Sequence, residues 1–181
     1  MNAITFVIGG CRSGKSRYAT DLAAQLSKKQ KIFIATCQPQ DEEMRQRVAR
    51  HQKDRGKTWI TLEVPIELPE AITRNGSRGN LILVDCLTLW ISNLLTRTPK
   101  ISEDDVIASV DNLTRALLHA AKCPVILVSN EVGTGIVPEN RLARQFRDIM
   151  GMTNQRVAAC ADAVIWMVAG IPVKIKGSSP D

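Results

Sequence analysis

Gly9-Gly10-Cys11-Arg12-Ser13-Gly14-Lys15-Ser16 fits the pattern G-x-x-x-x-G-K-[ST], and it follows an apolar run, Ile4 to Ile8, that reads as a buried strand. A strand that turns through glycines into a helix restricts the chain to an α/β architecture with a phosphate-binding loop. Gly9 and Gly14 let the backbone curl so that successive N–H groups point inward, and Lys15 can reach the outer phosphates. The Ser16 hydroxyl suits Mg²⁺, and the helix starting near Ser16 turns its positive dipole end to the same spot. A glycine-rich turn could match by chance, but strand, loop and helix stand here in the required order.

Apolar runs recur along the chain at Ile4 to Ile8, Lys31 to Ala35, Leu81 to Val84, Val125 to Val128 and Val164 to Val168, with helical patterns between them. Runs that are apolar on both faces belong to a parallel sheet covered by helices on both sides. The segment Ile171 to Lys176 alternates instead, with Gly170 before it, and reads as an edge hairpin. Helices are expected over Ser16 to about Ser27, with Tyr18, Leu22 and Leu26 facing the sheet, and over Asp41 to about Arg55. Two more run within Ile101 to Ala121, where Val106, Val110, Leu113 and Leu117 share a side, and from Pro138 and Glu139 onward, burying Leu142, Phe146 and Ile149. The expected fold is α/β, a three-layer P-loop NTPase with a mostly parallel, RecA-like sheet and a C-terminal edge hairpin. At 181 residues and 44% hydrophobic content, one catalytic domain over residues 1–181 is expected.

The +6 formal charge, from 24 basic and 18 acidic residues, admits nucleic acid, an acidic membrane or polyphosphate substrates. With 3 Trp, 1 Tyr and 3 Phe, and no basic stripe interleaved with aromatics, base stacking is disfavoured; small phosphorylated ligands are expected and nucleic acid is not. The chain has no stretch of eighteen uncharged apolar residues and no signal-peptide pattern at Met1-Asn2-Ala3, so a cytoplasmic location without membrane insertion is expected. Its 5 cysteines lack C-x-x-C spacing, so they are read as reduced, mostly buried thiols.

Asp85 ends the run Leu81 to Val84 and so falls at the carboxyl edge of the sheet, where it suits a second Mg²⁺ contact beside Ser16. It could equally cap the helix that starts near Leu87. His51 lies in Arg47-Val48-Ala49-Arg50-His51-Gln52-Lys53-Asp54-Arg55, on a helical face with Met44, Val48 and Arg55. A neutral imidazole there could attack phosphorus while Arg55 holds phosphate oxygens; a surface histidine on a basic helix is the plainer alternative. Ser129 to Gly135 follows another buried strand, and the next helix presents Arg141, Arg144 and Arg147, either an anion-facing series or a solvated face. His119, late in a helix, complements the dipole and is assigned no chemistry.

These segments together resemble the bifunctional adenosylcobinamide kinase/adenosylcobinamide-phosphate guanylyltransferases. The resemblance rests on the loop through Arg17, Ile34-Ala35-Thr36, Arg47 to Arg55, Asp85 to Leu95, and Ser129 to Arg141 continuing through Phe146-Arg147-Asp148 to Asn154-Gln155. It implies that His51 is the guanylylated histidine, occupying the family's R-[IV]-x-x-H-x-x-x-R pattern. It implies a nucleotide site of Gly9, Gly10, Cys11, Arg12, Ser13, Gly14, Lys15, Ser16, Ile34, Ala35, Thr36, Gln52, Lys53, Asp54, Arg55, Glu63 and Asp85. Lys15 and His51 would be catalytic and Ser16 and Asp85 would hold the metal. Cys11 stands where many relatives have a small residue and Gly56 where proline is common; neither removes a required N–H or charge. The resemblance further implies Mg²⁺, GTP and ATP as substrates, a corrinoid acceptor and a homo-oligomer, with a trimer suggested. Trp90, Ile91, Leu94 and Leu95 could serve an interface or belong to ordinary core. Two rival readings are a P-loop kinase for another small alcohol and a non-catalytic nucleotide switch.

Overall fold

The computed structural model describes residues 3–38, 58–98 and 101–177. Seven strands form one sheet in the order β3-β2-β4-β5-β1-β6-β7. They are β1 (Ile4–Gly9), β2 (Lys31–Ala35), β3 (Trp59–Glu63), β4 (Ile82–Asp85), β5 (Val125–Asn130), β6 (Ala163–Val168) and β7 (Ile171–Lys176). All neighbours pair in parallel except β6 and β7, which form the antiparallel edge hairpin. The helices are α1 (Lys15–Leu26), α2 (Leu68–Asn75), α3 (Leu87–Thr96), α4 (Glu103–Arg115), which continues into a π-helical turn at Ala116–Ala120, and α5 (Arg141–Cys160).

Because successive side chains on a strand face opposite ways, a strand buried on both faces must be apolar throughout. Phe6 and Ile8 of β1 enter a core with α2, α3, α4 and α5, whereas Val7 enters a second core with α1. The three layers expected from the sequence are therefore present. The expected helix face Val106, Val110, Leu113 and Leu117 is buried. Its start is fixed by a capping box, Ser102 Oγ accepting from Asp105 N at 3.1 Å while the Asp105 carboxylate accepts from Ser102 N at 3.0 Å.

Several expectations about packing need correction. α1 buries Ala19 and Ala23, with Tyr18 and Leu22 partly covered, while Leu26 is exposed; small side chains let the helix lie close to the sheet. Leu142 is exposed too, because α5 starts at Arg141, later than expected, with the Asn140 side chain accepting from Ala143 N. Trp90, Ile91, Leu94 and Leu95 are core, and Trp90 Nε1 donates to Ile66 O at 2.7 Å. Cys86 and Cys123 are buried, Cys37 and Cys160 partly so, and Cys11 is exposed; none of the five is in a disulfide. β3 and α2 have no counterpart among the elements expected from the sequence. The expected helix over Asp41 to Arg55 lies outside the described residues. Among the described residues no helix is long and apolar enough to cross a membrane.

Candidate nucleotide site

Parallel strands deliver their carboxyl ends to one edge. Gly9 pairs in register with Asn130, Ala35 with both Asp85 and Glu63. The phosphate loop, Asp85, Glu63 and the start of the β5–α5 loop thus share one rim, the edge at which open α/β sheets bind ligands.

The loop itself is held by close packing. A Cβ at Gly9 would sit 2.4 Å from Met167 O of β6, so no larger residue fits between β1 and its neighbour. Gly14 has φ 92, a left-handed conformation that glycine adopts without strain, and it serves as N-cap of α1. Lys15 is buried, and its Nζ donates to Gly10 O at 2.6 Å and more distantly to Ser13 Oγ at 3.5 Å. Burial lowers its pKa from the ordinary lysine value, and the negative charge of Asp85 opposes that shift. Both residues stand at the carboxyl edge of the sheet, Asp85 ending β4 and Lys15 opening α1 just after β1. Gly10, Cys11, Arg12, Gly14 and Ser16 are exposed around it, and Ser13 is buried.

Asp85 is positioned from two sides. Thr36 Oγ1 donates to Cys86 O at 2.7 Å and accepts from Cys86 N at 2.9 Å, joining the end of β2 to the cis Asp85–Cys86 peptide. Thr36 O in turn accepts from Asn93 Nδ2 at 2.7 Å. Cys86 is pushed up to about 11, mainly by burial and further by the charge of Asp85. Thr36 is wholly buried, and Ile34 sits with its side chain in the core. Glu63 is exposed at the end of β3. His51, Gln52, Lys53, Asp54 and Arg55 lie outside the described residues.

The rim continues into the β5–α5 loop. Glu131 N donates to Gly9 O at 3.0 Å, fastening this loop to the first glycine of the phosphate loop. The Asn130 backbone and side chain both donate to Thr88 Oγ1, at 2.8 and 3.1 Å. Ser129 Oγ donates to Asn154 Oδ1 at 2.8 Å, and Asn154 Nδ2 donates to Asn130 O at 3.2 Å. Arg147 Nη2 donates to Gly133 O at 2.6 Å, while its buried Nη1 has no hydrogen-bond partner among the described residues. Arg144 donates to Pro138 O at 3.1 Å. Two arginines of the basic series, which the sequence left open as anion-facing or solvated, thus hold carbonyls of their own loop. Sequence reasoning placed the hairpin turn at Gly170 but missed its contact with the phosphate loop, where Gly170 N donates to Ser13 O at 3.2 Å. The dipeptide Ala169-Gly170 signalled a turn but not its destination. A concavity of about 550 Å³ between the starts of α4 and α5, lined by Ser102, Glu103, Asn140 and Arg141 among others, contains none of the rim residues.

A loop of this form after an interior strand of a mostly parallel sheet, with an acidic strand end on the same rim as its lysine, defines a P-loop NTPase. Solved structures agree on the fold. The flagellar accessory protein FlaH from Methanocaldococcus jannaschii superposes with a TM-score of 0.52 at 14% identity, covering 97% of this chain and 78% of that one. The RadB recombinase gives 0.53 at 17% identity, covering 91% and 73%. Residues 5–175 match the family model described as cobinamide kinase / cobinamide phosphate guanyltransferase, and the chain belongs to that family. A bifunctional adenosylcobalamin biosynthesis protein CobU of Salmonella typhimurium is 43% identical over 179 residues, covering 94% of this chain and 98% of its own. The bifunctional protein CobP of Pseudomonas aeruginosa is 41% identical over 174 residues, covering 94% and 96%. The chain is accordingly a bifunctional kinase and nucleotidyltransferase that uses nucleoside triphosphates.

Proposed function

We propose that this family member performs both reactions on one catalytic domain spanning residues 1–181, the second through a guanylylated His51. The observation that supports the reading best is the meeting of Gly9–Ser16, Lys15 and Asp85 on one rim within a chain matching the family over residues 5–175.

In the first reaction the aminopropanol hydroxyl of adenosylcobinamide attacks the γ-phosphorus of ATP or GTP, and the nucleoside diphosphate leaves. Lys15 and the loop amides stabilise charge on the transferring group. Ser16 and Asp85 offer a hydroxyl and a carboxylate, hard oxygen donors that fit Mg²⁺, and the ion would neutralise charge on the phosphates when bound. In the second reaction an imidazole nitrogen of His51 attacks the α-phosphorus of GTP and pyrophosphate leaves. A phosphate oxygen of adenosylcobinamide phosphate then takes the guanylyl group from nitrogen, giving adenosylcobinamide-GDP and free imidazole. Ile34, Ala35, Thr36, Glu63 and Gln52 to Arg55 complete the nucleotide site in this reading, Ile34 through its backbone because its side chain is core.

A homotrimer in the cytoplasm is part of the same proposal. In its support, one face of the β6–β7 hairpin exposes Trp166, Val168, Ile171, Val173 and Ile175. Pro172 and Lys174 protect the strand edge, so the face is what remains for a second copy. Light scattering of the purified protein tests it, a monomer at micromolar concentration being the contrary result.

Turnover of adenosylcobinamide with Mg²⁺ and GTP tests the chemistry. Sequential appearance of the phosphate and then the GDP derivative is expected. Phosphorylation with no guanylyl transfer would reduce the protein to a plain kinase.

A further inference from the structure

The β6–β7 turn meets the phosphate loop directly. Val168 pairs with Ile171, so Ala169 and Gly170 alone form the turn, with φ 51 and 83. Two left-handed residues in a two-residue loop are the type I′ geometry that suits the twist of a hairpin, and glycine adopts it without strain. The Gly170 N–H lies outside the strand ladder and donates to Ser13 O at 3.2 Å. The fit is close: a Cβ at Gly14 would lie 3.5 Å from Gly170 Cα.

We propose that Gly170 is a positioning residue for nucleotide binding, because its N–H sets the orientation of the Ser13–Gly14 peptide. A trans peptide is planar, with C=O and N–H pointing opposite ways. Anchoring Ser13 O toward the hairpin therefore turns the Gly14 N–H away from it, into the concavity of the loop where a phosphate oxygen would bind. Gly14 has no side chain to restrain that plane, and its left-handed φ is open to peptide rotation. The hairpin supplies the missing restraint. This inference rests on the reading of Gly9–Ser16 as the triphosphate cradle.

The test removes the donor and keeps the shape. A full chain assembled by ligation at Cys160, carrying a synthetic 160–181 segment with an ester in place of the Ala169–Gly170 amide, lacks that N–H and keeps every side chain, the Ala169 carbonyl becoming only a weaker acceptor. Calorimetric titration with Mg²⁺-GTP should show a Kd about three- to tenfold weaker than an all-amide chain made the same way, the range of one neutral hydrogen bond. Affinity for GMP, which lacks the outer phosphates, should stay within about twofold. Gly170→Asn, which tolerates the left-handed region, should bind GTP nearly as wild type, whereas Gly170→Val should not. Equal GTP affinity in the ester chain, or equal weakening for GTP and GMP, would overturn the proposal. Lys15→Ala in the all-amide chain separates the two readings: unchanged GTP affinity there means that the cradle itself is misassigned.

Discussion

Thr36 and Cys86 exchange two hydrogen bonds, the Thr36 hydroxyl donating to Cys86 O at 2.7 Å and accepting from Cys86 N at 2.9 Å. Both groups are buried, so water cannot replace the lost partner. Thr36→Val should lower stability by about 1–3 kcal/mol in urea titration. It should also loosen the peptide that carries Asp85, weakening Mg²⁺-dependent turnover, while Thr36→Ser keeps most of both.

Lys15 is the buried cation of the loop, and its burial already disfavours the charge it carries. Lys15→Ala should reduce both kinase and guanylyl-transfer rates about 10²–10³-fold, the size of a lost oxyanion-type donor. Folding stability should fall by no more than about 1.5 kcal/mol, since the hydrogen bond to Gly10 O and the longer one to Ser13 Oγ are removed together with the cost of burying the charge. Paired kinetics and thermal melts check the contrast.

The thiols should separate by position. Cys11 is exposed within the loop, whereas Cys86 is held protonated up to about 11 by burial and by Asp85. Limited alkylation at pH 8 should mark Cys11 before Cys86 or Cys123, and GTP should slow it; peptide mapping reads both. The pH dependence follows by linkage. The folded Cys86 thiol keeps its proton above the unfolded value of 9.0, so its contribution to stability is complete below pH 9 and is lost between about pH 9 and 11. Cys86→Ala should decline less steeply than wild type across that window in denaturant titrations.

Trp90 fills the core and donates to Ile66 O. Trp90→Ala should cost about 3–5 kcal/mol. Oligomeric state, measured where the variant remains folded, should not change, because this segment is not surface.

Much of the site could be read from residues because phosphate binding imposes fixed glycine spacing. Gly9, Gly14 and Lys15 stand where that spacing requires, and Asp85 ends a run too apolar to be anything but a buried strand. Packing was less legible. The four-residue stripe of α1 pointed to Leu26, yet close approach to the sheet favours Ala19 and Ala23 and leaves Leu26 outside. β3 lies at the sheet edge and is only partly buried, so Trp59 to Glu63 carries no continuous apolar run. α2 spans 8 residues with Pro69 in its first turn, too short for a helical period to register. Contacts such as Gly170 to Ser13 join distant segments through backbone atoms, which leave no residue-type signature.

Everything distinctive in the second reaction passes through one imidazole. Intact mass spectrometry of the protein after incubation with Mg²⁺ and GTP measures it most directly. One added guanylyl group is expected, mapped to His51, absent in His51→Asn and discharged by adenosylcobinamide phosphate. An active enzyme that never carries the group, or carries it on another side chain, would contradict it.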